Sequence, residues 1–303
     1  MTIRFRRILI FSLCVLIPLI FVSCNYGFFW GLVGEENVDD RSSSMTSLEV
    51  YKPSLSNISG DEFCVLVMTD LHFGASWGED NEDDFLDWFE KRISAYKNSS
   101  PEKIPQFIVN LGDTADGGHD SEFKDYVVLE NKIKQIAKEK LGDSDYKIYS
   151  ILGNHDLYNN GVDGFEEMCF PFVSSYYFHV GGFGFYFLDT ANGTLGEAQL
   201  KDFKEKISAD SSPKIVFSHY PIYAGAGKYI LMRIHNNLER NLLLTYFAKY
   251  NVKRIYDGHA HKRIWFDFSK FQEEVIDSFR HGQAAVFTVN SSTGSVTTEI
   301  VEF

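Results

Sequence analysis

The sequence predicts an α/β fold, and three features predict it. Apolar runs of strand length at 63–69, 107–111 and 148–152 alternate with stretches of helical spacing at 83–96 and 121–140, a βαβαβ order. Polar clusters follow those runs directly, at the strand ends where α/β folds place ligands. The chain has 303 residues, 44% of them hydrophobic and 16% aromatic, enough to bury a substantial core.

Element by element, 63–69 reads Phe-Cys-Val-Leu-Val-Met-Thr, an uncharged run suited to a strand buried on both faces. In 83–96, Phe85, Leu86, Phe89, Ile93 and Tyr96 recur at helical spacing. The next strand is 107–111, and 121–140 is a helix with Phe123, Val127, Ile133, Ile136 and Ala137 in its stripe. Residues 148–152 complete the unit. Right-handed crossovers put these strands in one sheet with their carboxyl ends together, which gathers Asp70, Asp113 and Asn154. Beyond residue 175 the pattern changes. Residues 176–180 and 183–188, joined through Gly181-Gly182, read as a hairpin. Then come a helix at 196–208, a strand at 215–217, a helix at 236–250 and a strand at 252–256. The tail, 264–268, 284–289 and 295–301, reads as short antiparallel strands turned at Gly294.

The amino terminus reads as an address. Arg4, Arg6 and Arg7 precede an apolar run, 8–22, that falls short of the ~20 residues needed to span a bilayer and has the length of a signal-peptide core. Its end, Phe21-Val22-Ser23-Cys24, resembles a bacterial lipoprotein processing site with Cys24 as the lipidated residue. The expectation is a signal peptide over 1–23 and a cell-envelope location, as a membrane-anchored lipoprotein or a periplasmic or extracellular protein. An uncleaved membrane anchor and ordinary cleavage are the alternatives. Residues 24–60 turn polar, with Glu35, Glu36, Asp39, Asp40 and three serines from Ser42, and read as a tether that leaves 61–303 as the domain.

The formal charge of −13 argues against the basic surface that phosphate-backbone binding requires, so nucleic acid is disfavoured as a bulk partner. Only Cys64 and Cys169 fall in the domain, and nothing in the sequence supports a bridge between them.

Five polar clusters end the strand-like runs: Asp70-Leu71-His72, Gly112-Asp113, Gly153-Asn154-His155-Asp156, Ser218-His219 and Gly258-His259-Ala260-His261. Singly, each has a plain reading. A lone histidine after a strand is usually a hydrogen-bonded structural residue, Gly-Asp pairs are usually turns, and Asn154 could cap a helix. The ordered set is another matter. In that order the clusters resemble the signature of the calcineurin-like metallophosphoesterase family, DxH, GD, GNH(D/E), H and GHxH, across most of the folded chain.

The resemblance implies a two-sheet β-sandwich flanked by helices, metallo-dependent phosphatase-like, with two divalent ions of manganese, iron or zinc. It assigns Asp70, His72, Asp113 and His261 to one metal, and Asp113, Asn154, His219 and His259 to the other, so that Asp113 bridges. It also makes His155 the acid that protonates the leaving-group oxygen, with Asp156 orienting the ring. The chemistry fits the residue types. A phosphoester resists hydrolysis because its anionic centre repels nucleophiles, and a metal pair generates hydroxide while neutralising phosphate oxygens. Carboxylates bridge such a pair, and neutral imidazoles bind without cancelling its charge.

Purple acid phosphatases of this superfamily carry a tyrosine three residues after the GD aspartate. Here that position is Asp116, so coloured ferric chemistry is not expected, and Asp116 itself reads as a turn or solvent residue, with contact to the metal site as the lesser alternative. His119, Tyr220, Tyr223, Lys228, Arg233 and His235 are candidate substrate contacts, with Gly225 and Gly227 as hinges of a lid. His179 and His281 read as structural. The expected function is therefore an exported dimetal phosphoesterase acting on a phosphomonoester or phosphodiester, whether a small molecule, a nucleotide or a lipid headgroup. The alternative is a non-catalytic metal-binding or scaffolding protein on the same fold.

Overall fold

The computed structural model describes residues 38–55, 58, 60–78, 80–225 and 227–303. The expected signal peptide, Cys24 and the first part of the tether lie outside them. Among the described residues no helix is long and apolar enough to cross a membrane.

The first half is built as expected. Strands β2 (Glu62–Met68), β3 (Pro105–Asn110) and β4 (Ile148–Ser150) pair in parallel, linked through helices α2 (Glu82–Tyr96) and α3 (Asp120–Leu141). Three acids in the first turn of α2 complement its dipole, and Phe85, Phe89 and Ile93, spaced by four, are its buried stripe. Helix α3 ends on Gly142, whose φ of 76° makes the left-handed cap that glycine tolerates. Strands β11 (Gln283–Asn290) and β12 (Ser295–Glu302) extend this sheet antiparallel beside β2, giving the order β12-β11-β2-β3-β4.

The second sheet has seven strands. Strands β5 (Tyr176–Val180) and β6 (Phe183–Phe187) form the expected hairpin, and β7 (Lys214–Phe217) and β8 (Val252–Asp257) follow in parallel, crossing through α5 (Gly196–Ala209) and α6 (Asn237–Lys249). Two further strands complete its far edge, β9 (Ile264–Asp267) and β10 (Gln272–Val275). Strand β10, Gln-Glu-Glu-Val, has no apolar pattern, so periodicity could not reveal it. Its acids are buried because they have partners: Glu273 accepts from the amides of Ile222 and Tyr223 at 2.7 and 2.9 Å, and Glu274 meets Arg254 at 3.4 Å and Arg263 at 3.1 Å.

Side-chain alternation explains how the layers join. Phe63, Val65 and Val67 of β2 face inward with Phe107, Phe185, Phe187, Phe217 and Phe287, forming an aromatic-rich core between the sheets. On the outer face of the larger sheet, Tyr186, Val216 and Ile255 pack with Phe203 and Phe247 of the helices. Cys64 and Cys169 are buried free thiols.

The amino-terminal boundary differs from expectation. Residues 38–48, read as tether, pack on the larger sheet: helix α1 (Val38–Arg41) lies against α5, and β1 (Thr46–Ser47) pairs with β5. Val38, Met45 and Leu48 are buried, but three apolar residues spread over this length make no periodic pattern. His179 is structural as expected, with Nδ1 2.6 Å from Glu49 and Nε2 3.1 Å from Asp210.

Candidate metal centre

The carboxyl ends of β2, β3, β4, β7 and β8 deliver the five polar clusters to one place. Asp70, His72, Asp113 and His261 hold one set of ligand-type atoms within 4.8 Å of one another, and Asp113, His219 and His259 hold a second. Asn154 joins the second, its Oδ1 3.1 Å from His219 Nε2. Asp113 belongs to both, with Oδ2 3.7 Å from His72 Nε2 and 3.3 Å from His219 Nε2.

Backbone strain accompanies this convergence. Asp70, His72, Asp113, His259 and His261 all have φ between 45° and 64°, a region that non-glycine residues rarely occupy and that costs roughly 1–3 kcal/mol each. The motif glycines have steric reasons. A Cβ on Gly153 would come 2.1 Å from the Asp113 amide nitrogen and 2.2 Å from its Oδ1, and one on Gly258 would come 2.0 Å from Thr69 Oγ1. Any side chain there would displace an aspartate of the cluster.

Hydrogen bonds divide the oxygens of each aspartate by task. Asp70 Oδ2 accepts from Thr69 Oγ1 at 2.8 Å and the His259 amide at 3.0 Å. Its buried Oδ1 accepts no well-formed bond and faces His261 Nε2 at 3.2 Å. Asp113 Oδ1 accepts from the His155 amide at 2.8 Å, which leaves Oδ2 toward the two histidines. His219 Nδ1 lies 2.9 Å from the Leu111 carbonyl, and that bond turns Nε2 toward Asn154 and Asp113.

Electrostatics among these groups are consistent with cation binding. Burial alone would raise the Asp113 carboxyl, but the charges of His219, His72 and His155 hold it well below the usual carboxylate range. Burial likewise would lower His219, yet Asp113 and Asp70 raise it to about 9. Burial and the His219 charge push His259 down to about 3, which keeps a bare nitrogen on that ring. His72 Nε2 and His261 Nε2 stand 3.1 Å apart. An unpartnered buried carboxylate oxygen, two facing ring nitrogens and a shared aspartate form a donor set that fits divalent cations, manganese, iron and zinc alike.

Two residues depart from their expected roles. Asp156 does not orient the His155 ring. Fully buried, it accepts from the amides of Ala115 and Gly153, each at 2.8 Å, and so braces the two loops that carry Asp113 and Asn154. Burial and the Asp113 charge raise it to about 7. The His155 ring is instead held at Nδ1 by the Asp116 carbonyl at 2.7 Å. Asp116 is no bystander, because its carboxylate also lies 3.0 Å from His72 Nδ1. No sequence signal marks a main-chain carbonyl as the partner of a particular ring.

Of the expected substrate contacts, Tyr220 stacks on His259 with ring centroids 3.9 Å apart, and His235 sits against Tyr220 at 5.4 Å. Tyr223 packs between Phe266 and Phe268, away from the ligand rings. His119 opens α3, where Glu122 accepts from its amide at 2.9 Å. The Lys228 side chain lies outside the described residues. Trp77 and His281, neither expected here, stand beside His261 at 5.1 and 6.3 Å between ring centroids.

Two packed sheets with paired Asp/His clusters at their strand ends define a metal-dependent phosphoric ester hydrolase. Residues 64–263 match the family model for calcineurin-like phosphoesterases, about two thirds of the chain, and the chain belongs to that family. A probable cyclic nucleotide phosphodiesterase of Fibrobacter succinogenes is 24% identical over 199 residues, covering 65% of this chain and 72% of that protein. Among solved structures, a dimetal phosphatase from Danio rerio is similar with a TM-score of 0.52 at 15% identity, covering 75% of this chain and 92% of its own. A purple acid phosphatase from yellow lupin gives 0.53 at 13% identity over 82% of this chain and 55% of its own. At such identities the two structures speak to the fold alone.

Proposed function

We propose that the chain is an exported phosphodiesterase acting on a nucleotide-type phosphodiester at a two-cation centre, with His155 giving a proton to the leaving alcohol. The observation that carries this reading is the Asp113 carboxylate, common to two convergent ligand groups, as a bridged metal pair requires. Two divalent cations, held by these residues, would supply the attacking oxygen and neutralise phosphate charge.

The protein's own groups account for the remaining steps. Asp70 Oδ1 and Asp113 Oδ2 are left to ligation because their partner oxygens are already occupied. With Nδ1–H donating to the Asp116 carbonyl, Nε2 is the His155 ring nitrogen left to deliver a proton, which it carries when the ring is doubly protonated, and the side chain is 31% exposed. An alkoxide leaves poorly, so a positioned donor speeds the step by about 10²–10⁴. Likeness to the Fibrobacter protein supports the diester, nucleotide-type substrate.

With manganese or zinc supplied, wild type should hydrolyse bis-p-nitrophenyl phosphate faster than p-nitrophenyl phosphate, and Asp113→Ala should lose nearly all hydrolysis of both. Faster monoester turnover would replace the diester reading, and metal uptake without hydrolysis of either ester would leave a binding or scaffolding role. Export is supported by the basic and then apolar run ending at Cys24. Cys24→Ala should abolish lipid attachment and alter processing and membrane association, and processing and membrane association both unchanged would remove the lipid anchor.

A further inference from the structure

The segment after β10 turns back onto the metal centre and brings a histidine with it. Ser278 Oγ donates to the Asp70 carbonyl at 2.8 Å, and the Phe279 amide donates to the Thr69 carbonyl at 2.9 Å. Phe279 is buried against Phe85 and Phe303, so this short 3₁₀ turn is fixed to the strand end that carries Asp70. His281 closes the turn. Its Nδ1 is 2.8 Å from Asp277 Oδ1, its side chain is 44% exposed, and its ring centroid lies 6.3 Å from that of His261.

Trp77 stands on the same flank. Its ring stacks on His261 at 25° between planes and meets His281 edge-on at 6.4 Å. Arg280 fixes this placement, donating through Nε and Nη2 to the Trp77 carbonyl at 2.9 and 2.7 Å, with its guanidinium 5.8 Å from the ring. The Trp77 main chain is thus held by Arg280 and the His281 ring by Asp277, and neither residue belongs to the ligand groups. A histidine whose Nδ1 is bonded to a carboxylate keeps Nε2 for another partner, and a half-buried indole beside it offers a flat apolar wall.

We propose that His281, oriented by Asp277 and walled by Trp77, contacts the organic part of the substrate, with a planar base or sugar hydroxyl of a nucleotide as its chemical match. The proposal rests on the phosphoesterase reading above for the position of the phosphate, and it adds which flank receives the rest of the molecule. With phosphate between the two ligand groups, a substituent directed to the His261 side would meet this wall, since Trp77 and His281 both stand beside His261. Aromatic stacking and one hydrogen bond suffice for such a contact.

Binding of adenosine 5′-monophosphate and of inorganic phosphate to the full-length, metal-loaded protein in detergent, measured by calorimetry, separates this role from the chemistry. One hydrogen bond of ~1.4 kcal/mol is worth about tenfold, so His281→Ala should weaken the nucleotide about tenfold and leave phosphate within about twofold. Asp277→Asn should produce a smaller loss of the same kind, and metal content should match wild type in both. Equal weakening of the two ligands would overturn the proposal by placing the effect on the metal centre, and unchanged nucleotide binding would overturn it outright. If binding depends on His281 while no ester is hydrolysed, the contact stands and the phosphodiesterase reading falls.

Discussion

Asp116 holds two neighbours: its carboxylate lies 3.0 Å from His72 Nδ1 and 3.6 Å from His155 Nδ1, and its carbonyl accepts from His155 Nδ1 at 2.7 Å. The first bond fixes the ring of a candidate metal ligand, an arrangement whose loss typically costs 10- to 100-fold in metal affinity or activity. Asp116→Ala removes only the carboxylate, since the carbonyl survives any substitution. The variant should therefore lose about 10- to 100-fold in metal affinity or kcat/KM while circular dichroism stays native, and Asp116→Asn should recover part of it. Metal affinity and turnover equal to wild type would show that neither His72 nor His155 needs this carboxylate. From the sequence Asp116 read as a turn residue, because a carboxylate that serves a histidine 44 positions away leaves no local trace. The glycines at 153 and 258 were legible as motif members, whereas their reason, a backbone packed against aspartate and threonine atoms, exists only in three dimensions.

At the scale of elements, α1 shows how a charged segment becomes structural. Arg41 donates to Asp189 through Nε at 2.7 Å and Nη2 at 3.0 Å, and Nη2 reaches Asn192 Oδ1 at 2.7 Å. Both side chains of the pair are essentially buried, at 1% and 0% exposure. Arg41→Ala would leave a buried carboxylate without its cation, a loss of about 3–5 kcal/mol in urea unfolding. Burial raises Asp189, but the Arg41 charge and the bonds from Arg41, Ser42 and Ser174 outweigh it, so its folded pKa lies below the ordinary value. A depressed carboxylate stabilises fully above the ordinary value of about 4, and that contribution is lost as pH falls through the folded pKa. In the variant, burial raises Asp189 with no cation to oppose it, so the stability difference should be largest at neutral pH, begin to shrink as pH falls through that raised value and go on shrinking through the depressed wild-type one. A difference that persists undiminished in acid would mean that lost packing, not the ion pair, sets the cost. The alternation of strands and helices was legible because each buries a periodic face, whereas α1, β1 and β10 were not, being too short or held by partnered charges.

Across the whole molecule, the two sheets share an interior of aromatic rings, with Tyr256 stacked on Phe287 at 4.7 Å, Phe185 on Phe287 at 6.5 Å and Phe107 edge-on to Phe185 at 5.6 Å. That packing aligns the carboxyl ends of strands from different sheets, which is why His219, His259 and His261 meet Asp70 and Asp113 although up to 191 positions separate them. The sequence by itself determined the βαβαβ order, because strand and helix periodicity are local patterns, and its strand-end polar clusters, through their ordered resemblance to the family signature, pointed to the seven candidate ligand residues and His155. Tertiary structure alone decided that Asp116 and not Asp156 holds His155, and that Trp77 and His281 flank the centre. Those are relations between side chains distant in the chain, and packing of the two sheets brings them within hydrogen-bonding or ring-contact distance of each other.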